Sequence, residues 1–308
     1  MNSVAKFVMN LSEINIYPIK SCRGISLAEA RVEHRGLEFD RRWMLVDVNN
    51  RFLTQREYAV MATIAVRVEG GELRVESAGI SIQIPPAKTQ RRKERVKVWS
   101  SRVESSVYPD EINEFFSDVI GAKVRLVTMT EAKRPVNYWY RVHRDDNVSF
   151  ADGYPFLLIS EGSLEELNRR IAENSHHRDA GKLPAFRPSP TAHAGTHTDA
   201  MVQPIPMNRF RPNLVVKGSE PFEEDTWKKI RIGENVFHVV KACARCPIPT
   251  IDQEAGVRHS SEPTRTLATF RQVRRRGKNK ILFGQNLIAE KAGGIVSVGD
   301  EVEVLERK

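Results

Sequence analysis

The sequence predicts an α+β chain, mainly β, built around a barrel. Three observations carry that expectation. Short alternating strands dominate, glycine-marked hairpin turns recur along the chain, and the few helices do not alternate with strands as in a doubly wound sheet. At 308 residues the chain exceeds one ordinary domain, and about 150 residues per domain gives two. A hydrophobic fraction of 40% beside 28% charged residues is enough to bury a core and excludes a disordered chain.

Taken in order, Ile14, Ile16 and Pro18 alternate as a strand, and Trp43–Val48 is a compact apolar run before the turn Asn49-Asn50. The stretch AVRVEGGELRVES reads as a hairpin turning at Gly70-Gly71, because glycine supplies the positive φ of primed turns. ISIQI (80–84) and VKVWS follow as strands. Ile112, Phe115, Phe116 and Val119 fall on one helical face behind Pro109-Asp110. Ser163 and Glu166 have capping-box spacing, ahead of a stripe formed by Leu164, Leu167 and Ile171. KIRIGENVFHVV predicts a second hairpin near Gly233–Asn235, and GIVSVGDEVEVLE alternates through Gly299-Asp300. Residues 131–153 have no period and read as the connection between two halves. Residues 175–208, rich in proline and small residues and holding four of the eight histidines, read as an inserted loop. His193 and His197 are four apart, but Gly195 and the neighbouring prolines argue against a helix that would pair them.

Composition also excludes classes. No apolar run approaches the roughly 18 residues of a membrane helix, and Asn10, Ser12 and Glu13 spoil the N-terminal stretch as a signal peptide. Three cysteines are too few for a disulfide scaffold or a four-thiolate iron–sulfur cluster, so a reducing cytoplasm is expected. The net charge of +9 favours anionic partners. The densest basic runs, Gln90–Lys97 and Arg271–Lys280, lack interleaved aromatics; solvated hairpin edges are expected there, and nucleic acid is not.

The densest chemical signal is Lys241-Ala-Cys-Ala-Arg-Cys-Pro-Ile-Pro-Thr-Ile-Asp252. Cys243 and Cys246 are open to four readings: small buried hydrophobes, half of a zinc site, a C-x-x-C redox pair, or a thiolate holding a soft transition metal beside the cationic Arg245. Zinc lacks a second cysteine pair, and Pro247 and Pro249 oppose the helix a redox pair wants. Arg211-Pro212-Asn213 places an arginine before proline, which predicts an extended backbone at a strand start and a guanidinium that can fork onto a phosphate or, taken alone, equally form a surface salt bridge. Lys20-Ser21 and Asp40-Arg41-Arg42 stand at other strand ends. Gathered by a barrel, these groups would form an anion pocket. Gly284, within Phe283–Asn286, suggests a bulge or a ligand close to the backbone.

Five segments occur in the order found in one family: YPIKSCRG, DRRWMLVD, FRPNLVV, CARCPIPTID and FGQNLIAE. From about residue 13 to 305, outside the insert, the chain resembles the MOSC (molybdenum cofactor sulfurase C-terminal) domain family with its N-terminal β-barrel region, and among its members the amidoxime-reducing components. The resemblance implies a MOSC β-barrel over residues 131–308, interrupted by the loop 175–208. A smaller N-terminal α/β region is implied over 1–130, with its first strands, about 13–42, joining the barrel. It implies a molybdenum–molybdopterin cofactor whose metal is held by Cys246. Lys20, Ser21, Arg41, Arg211, Asn213, Arg245 and Asn286 would contact the cofactor. Asp152-Gly153-Tyr154-Pro155 departs from the hydroxyl-rich family pattern, so no site is carried over there.

The activity so implied is reduction of N-hydroxylated compounds, amidoximes or hydroxylamines, with Cys246 at the catalytic centre; Asp252, six residues on, is a candidate proton donor, with turn capping as the alternative. Three thiols, one committed to molybdenum, leave no ferredoxin-type cluster. Electrons are therefore expected from a separate ferredoxin, flavoprotein or haem protein. The alternative is a sulfur or molybdenum-cofactor carrier serving a pyridoxal-phosphate desulfurase.

Overall fold

A closed ring of seven strands organises the molecule. The computed structural model describes residues 8–86, 92–179, 203–275 and 277–308. Around the ring run Phe156–Ser160, Leu214–Lys217, Met9–Ile16, Glu301–Arg307, Trp227–Ile232, Asn235–Ala244 and Lys278–Ala289, and the last pairs back onto the first. Every pairing is antiparallel except that of Phe156–Ser160 with Leu214–Lys217. Alternate side chains fill the interior, among them Leu11, Ile14, Ile16, Leu158, Leu214, Val216, Trp227, Ile230, Phe237 and Leu287. The structure is thus α+β and mainly β. Among the described residues, no helix is long and apolar enough to cross a membrane.

The N-terminal unit has its own core. A four-stranded sheet in the order Trp43–Asp47, Val124–Met129, Ser101–Val107, Lys93–Val98 carries the helix Asp110–Ile120. The helix packs Ile112 and Phe116 against Trp43, Leu45 and Leu126. A small sheet, Ala65–Glu69, Glu72–Ser77 and Ile80–Ile84, completes the unit. The Gly70-Gly71 hairpin forms as read: Glu69 faces Glu72, and both glycines have positive φ. So does the second hairpin, where Ile232 faces Asn235 across Gly233-Glu234. The turn at Gly299-Asp300 instead separates two strands that join different sheets, since Ile295–Ser297 pairs with Glu29–Glu33.

Three local expectations are corrected. The helix Glu161–Asp179 begins before the expected cap: Ser160 Oγ accepts from Ser163 N (3.1 Å), so Ser160 is the capping residue. The Ser163 hydroxyl turns instead to Glu224, and Glu166 pairs with Arg169 and Arg170. Arg211 is not extended. It closes the 3₁₀ turn Met207–Phe210 in the left-handed conformation, φ 57° and ψ 47°, which also avoids the helical region that proline disfavours. At Gly284 the bulge reading holds, since Ala242 faces Gln285 and Ala244 faces Leu282, and the ligand reading is corrected: a Cβ there would lie 2.8 Å from Leu158 O and 2.6 Å from Ile159 Cγ1, both on the adjacent strand. The helix Glu161–Asp179 also runs into the expected loop, and the rest of that insert through residue 202, including His193 and His197, lies outside the described residues. Of the basic runs, Gln90, Arg91 and Arg276 lie outside as well, and Arg274, Arg275, Lys278 and Lys280 are exposed on a hairpin.

Candidate functional site

Where the first barrel strand ends, the chain crosses into the N-terminal unit, and a cavity of about 560 Å³ opens at that junction. Six cationic side chains line it (Lys20, Arg41, Arg134, Arg211, Lys241, Arg245) against one carboxylate, Asp152. Such a wall selects an anion. Four non-glycine residues of the wall, Ser21, Arg41, Trp99 and Arg211, hold positive φ, half of the eight such residues described. Left-handed backbone at bulky residues concentrates where the fold fixes side chains for a ligand.

The cations are held by a backbone and aromatic scaffold. Arg41 and Arg211 both stack on the Tyr17 ring, at 4.3 and 4.1 Å from its centroid. Arg41 Nη1 donates to Asp40 Oδ2 (2.6 Å) and Asn213 Oδ1 (2.9 Å), and its Nη2 donates to Arg211 O (3.2 Å). Arg211 Nη1 reaches Gln253 Oε1 (3.3 Å), while its buried Nη2 has no partner among the described residues. Lys20 Nζ donates to Phe150 O (2.8 Å) and pairs with Asp152. Burial lowers the Lys20 pKa, which the Asp152 charge opposes; desolvation would raise the Asp152 carboxyl, but Lys20 holds it well below the usual carboxylate range. Arg134 Nη1 is fixed by Ser149 O (2.6 Å) and Ala151 O (2.5 Å).

The thiols come from the strand Asn235–Ala244 and the turn after it. Register shifts on both sides of Lys241 and Cys243 mark two bulges against Lys278–Ala289, devices that re-aim side chains at barrel rims. Cys243 lines the cavity, accepting from Arg245 Nη1 (3.3 Å); burial raises its pKa, partly offset by the Arg245 charge. Cys246 lines it too, one residue beyond Arg245, whose backbone N–H is bonded to Ile281 O (2.8 Å). Arg245 Nη2 donates to Phe210 O (2.7 Å), leaving its buried Nε without a partner among the described residues. Cys22 is fully buried, and burial pushes its thiol up to about 12.

The cavity thus brings together Lys20, Ser21, Arg41, Arg211, Asn213, Arg245, Cys246 and Asn286 from the sequence reading. Asn213 is spent within the protein: its Oδ1 accepts from Arg41 and from Leu157 N (3.2 Å), and its Nδ2 donates to Asn15 O (3.1 Å). It orients Arg41. Asn286 Nδ2 donates to Lys241 O (3.1 Å). Asp252 does not line the cavity; it caps a turn through the N–H groups of Glu254 and Ala255 (2.9 Å each) and pairs with Arg209 (2.9 Å). Those backbone bonds, with Arg209, hold its carboxyl below the ordinary value. Arg134, Asp152, Tyr154, Lys241 and Trp99 were missed as site residues. Lys241 opened the cysteine run and Asp152-Gly153-Tyr154 was noticed, but neither had a partner legible in one dimension.

The residues present fit a large anion tethered near a soft metal. Two guanidinium nitrogens, Arg211 Nη2 and Arg245 Nε, are buried beside two thiols without partners among the described residues. Among the described residues no group of three or more His, Cys, Asp or Glu gathers for a metal. The soft donors in the wall are the sulfurs of Cys243 and Cys246, the groups that would hold such a metal.

Two family models match the chain: the MOSC N-terminal beta barrel domain over residues 8–123 and the MOSC domain over residues 145–303. A molybdenum cofactor sulfurase of Arabidopsis thaliana is 33% identical across 95% of this chain, and that of Oryza sativa subsp. japonica is 36% identical across 92%. The chain spans about a third of the length of these plant proteins, 35% and 33% respectively. Mitochondrial amidoxime-reducing component 1 of Homo sapiens is 27% identical, with 97% of this chain and 83% of the human one covered.

Proposed function

The chain belongs to the MOSC family, and from that premise we propose that it is a molybdenum-cofactor-dependent reductase of N-hydroxylated compounds, supplied with electrons by a separate redox protein. A molybdenum-cofactor-related role follows from the family itself. The observation that carries the finer reading is that Cys246 shares one cationic cavity with Arg211 and with Lys20, which lies near the start of the sequence and far from both.

Cys246 would hold the metal, and Arg211 and Arg245, through their unpartnered nitrogens, would bind the anionic end of the cofactor. Bound there, the cofactor supplies two-electron removal of oxygen from nitrogen. The protein's own residues orient and exclude. The Arg41–Asn213–Asp40 network holds the anion seat rigid, and the Lys20–Asp152 pair fixes one wall. Tyr154, raised by burial and then by Tyr140 and Cys243, keeps its hydroxyl proton at the cavity wall at neutral pH, as Cys243 keeps its thiol proton. Asp252 stands outside the cavity wall, bound to its own turn and to Arg209, with its carboxyl held in the ionised form.

Expression in a host that makes the cofactor tests the reading. Wild type should carry near-stoichiometric molybdenum and reduce benzamidoxime with an artificial electron donor. Cys246→Ser should lose most of the metal and at least a hundredfold in rate. The similarity to the plant sulfurases favours a second reading, a sulfur or cofactor carrier working beside a desulfurase. A persulfide on Cys246 with no bound metal in the wild type would decide for it.

A further inference from the structure

We infer that Trp99 is the specificity-determining wall of the cavity, a flat apolar plate that favours substrates carrying a planar conjugated group beside the N–O bond. The inference rests on the reductase reading.

Trp99 occupies a position its backbone disfavours. Val98 pairs with Ser101, so Trp99-Ser100 is a two-residue hairpin turn, and Trp99 sits there at φ 55°. Such turns call for Asn, Asp or Gly, and a bulky side chain at positive φ is strained. A role confined to folding would be better filled by glycine. The side chain nevertheless lines the cavity that holds Cys246 and remains 38% exposed.

Its orientation is over-determined. The indole N–H donates to Asp152 Oδ1 (3.3 Å), the same oxygen that pairs with Lys20. The Arg56 guanidinium lies over the ring at 4.6 Å from its centroid, and Phe52 packs against it at 5.0 Å with a 55° tilt. A hydrogen bond, a cation and a second ring thus fix one aromatic side chain of the N-terminal unit beside groups supplied by the barrel. A conjugated substrate gains ring-on-ring contact there that a small hydroxylamine does not.

The test uses the full chain and two variants. Trp99→Gly removes both plate and strain; Trp99→Phe keeps the plate and loses the indole N–H. In Trp99→Gly the kcat/KM ratio of benzamidoxime to hydroxylamine should fall about tenfold, mainly through KM, with the melting temperature equal to or above that of wild type. Calorimetry on cofactor-free protein should show benzamidoxime binding weakened by a similar factor. Trp99→Phe should keep the ratio within about threefold. An unchanged ratio in Trp99→Gly, an equal loss in Trp99→Phe, or a lower melting temperature with both substrates equally impaired would overturn the proposal. If molybdenum-loaded wild type reduces neither substrate, the reductase reading fails by itself. The calorimetric difference between Trp99→Gly and wild type then still decides for or against the plate.

Discussion

Glu224 is 1% exposed and pairs with no cation among the described residues; its carboxylate accepts from the hydroxyls of Ser160 (2.9 Å) and Ser163 (2.8 Å). Burial raises its pKa above the ordinary 4.5, with the two serines opposing. A raised carboxyl contributes stability that is intact below 4.5 and is lost as pH rises through the folded value. Glu224→Gln keeps the shape and removes the charge. It should stabilise the protein at pH 8 by about 1 kcal/mol, on the order of 2 °C, and have little effect at pH 4. Thermal melts of both proteins at the two pH values check the sign. None of this was legible in the sequence, because Glu224 has no motif and its serines lie some sixty positions away. Cys246, Lys20 and Arg211 were legible, since each stands in a compact run of chemically committed residues. The hydrogen-bond partners of Asn213 and Asp252 were hidden for one reason. A polar side chain near a motif reads as a ligand until the structure shows which backbone groups already occupy it.

Hairpins and the amphipathic helix Asp110–Ile120 were readable at the element scale because their determinants are local: a pair of glycines, or an apolar stripe. The bulges that aim Lys241 and Cys243 were not, since they are properties of a pairing with a strand forty residues on. Gly284 tests that kind of non-local constraint. It combines φ +79° with a neighbouring backbone oxygen 2.8 Å from where a Cβ would stand. Gly284→Ala should lower stability by roughly 1–3 kcal/mol. Gly70, at φ +59° with nothing within 4 Å of its added Cβ, provides the control. Gly70→Asn should cost only a few tenths of a kcal/mol, because asparagine accepts that conformation in a turn. Urea midpoints at equal slope measure both.

The barrel cannot be divided where the two family models divide the chain. Met9–Ile16 sits between Leu214–Lys217 and Glu301–Arg307, so residues 145–308 alone would leave a gap in the ring with two bare strand edges. That fragment should elute as aggregate in size-exclusion chromatography and show no cooperative melt, whereas the full chain gives both a single peak and a transition. A soluble, cooperatively melting fragment would refute the point. The seam matters before the protein is ever complete. On a ribosome adding about 5–20 residues per second, Met9 emerges roughly 15–60 s before Val302, the residue it must lie beside. For all that interval the apolar face of the first strand is orphaned in a crowded cell. The cysteine turn, though already synthesised, has no finished seat to occupy until Glu301–Arg307 pairs with Met9–Ile16 and closes the ring.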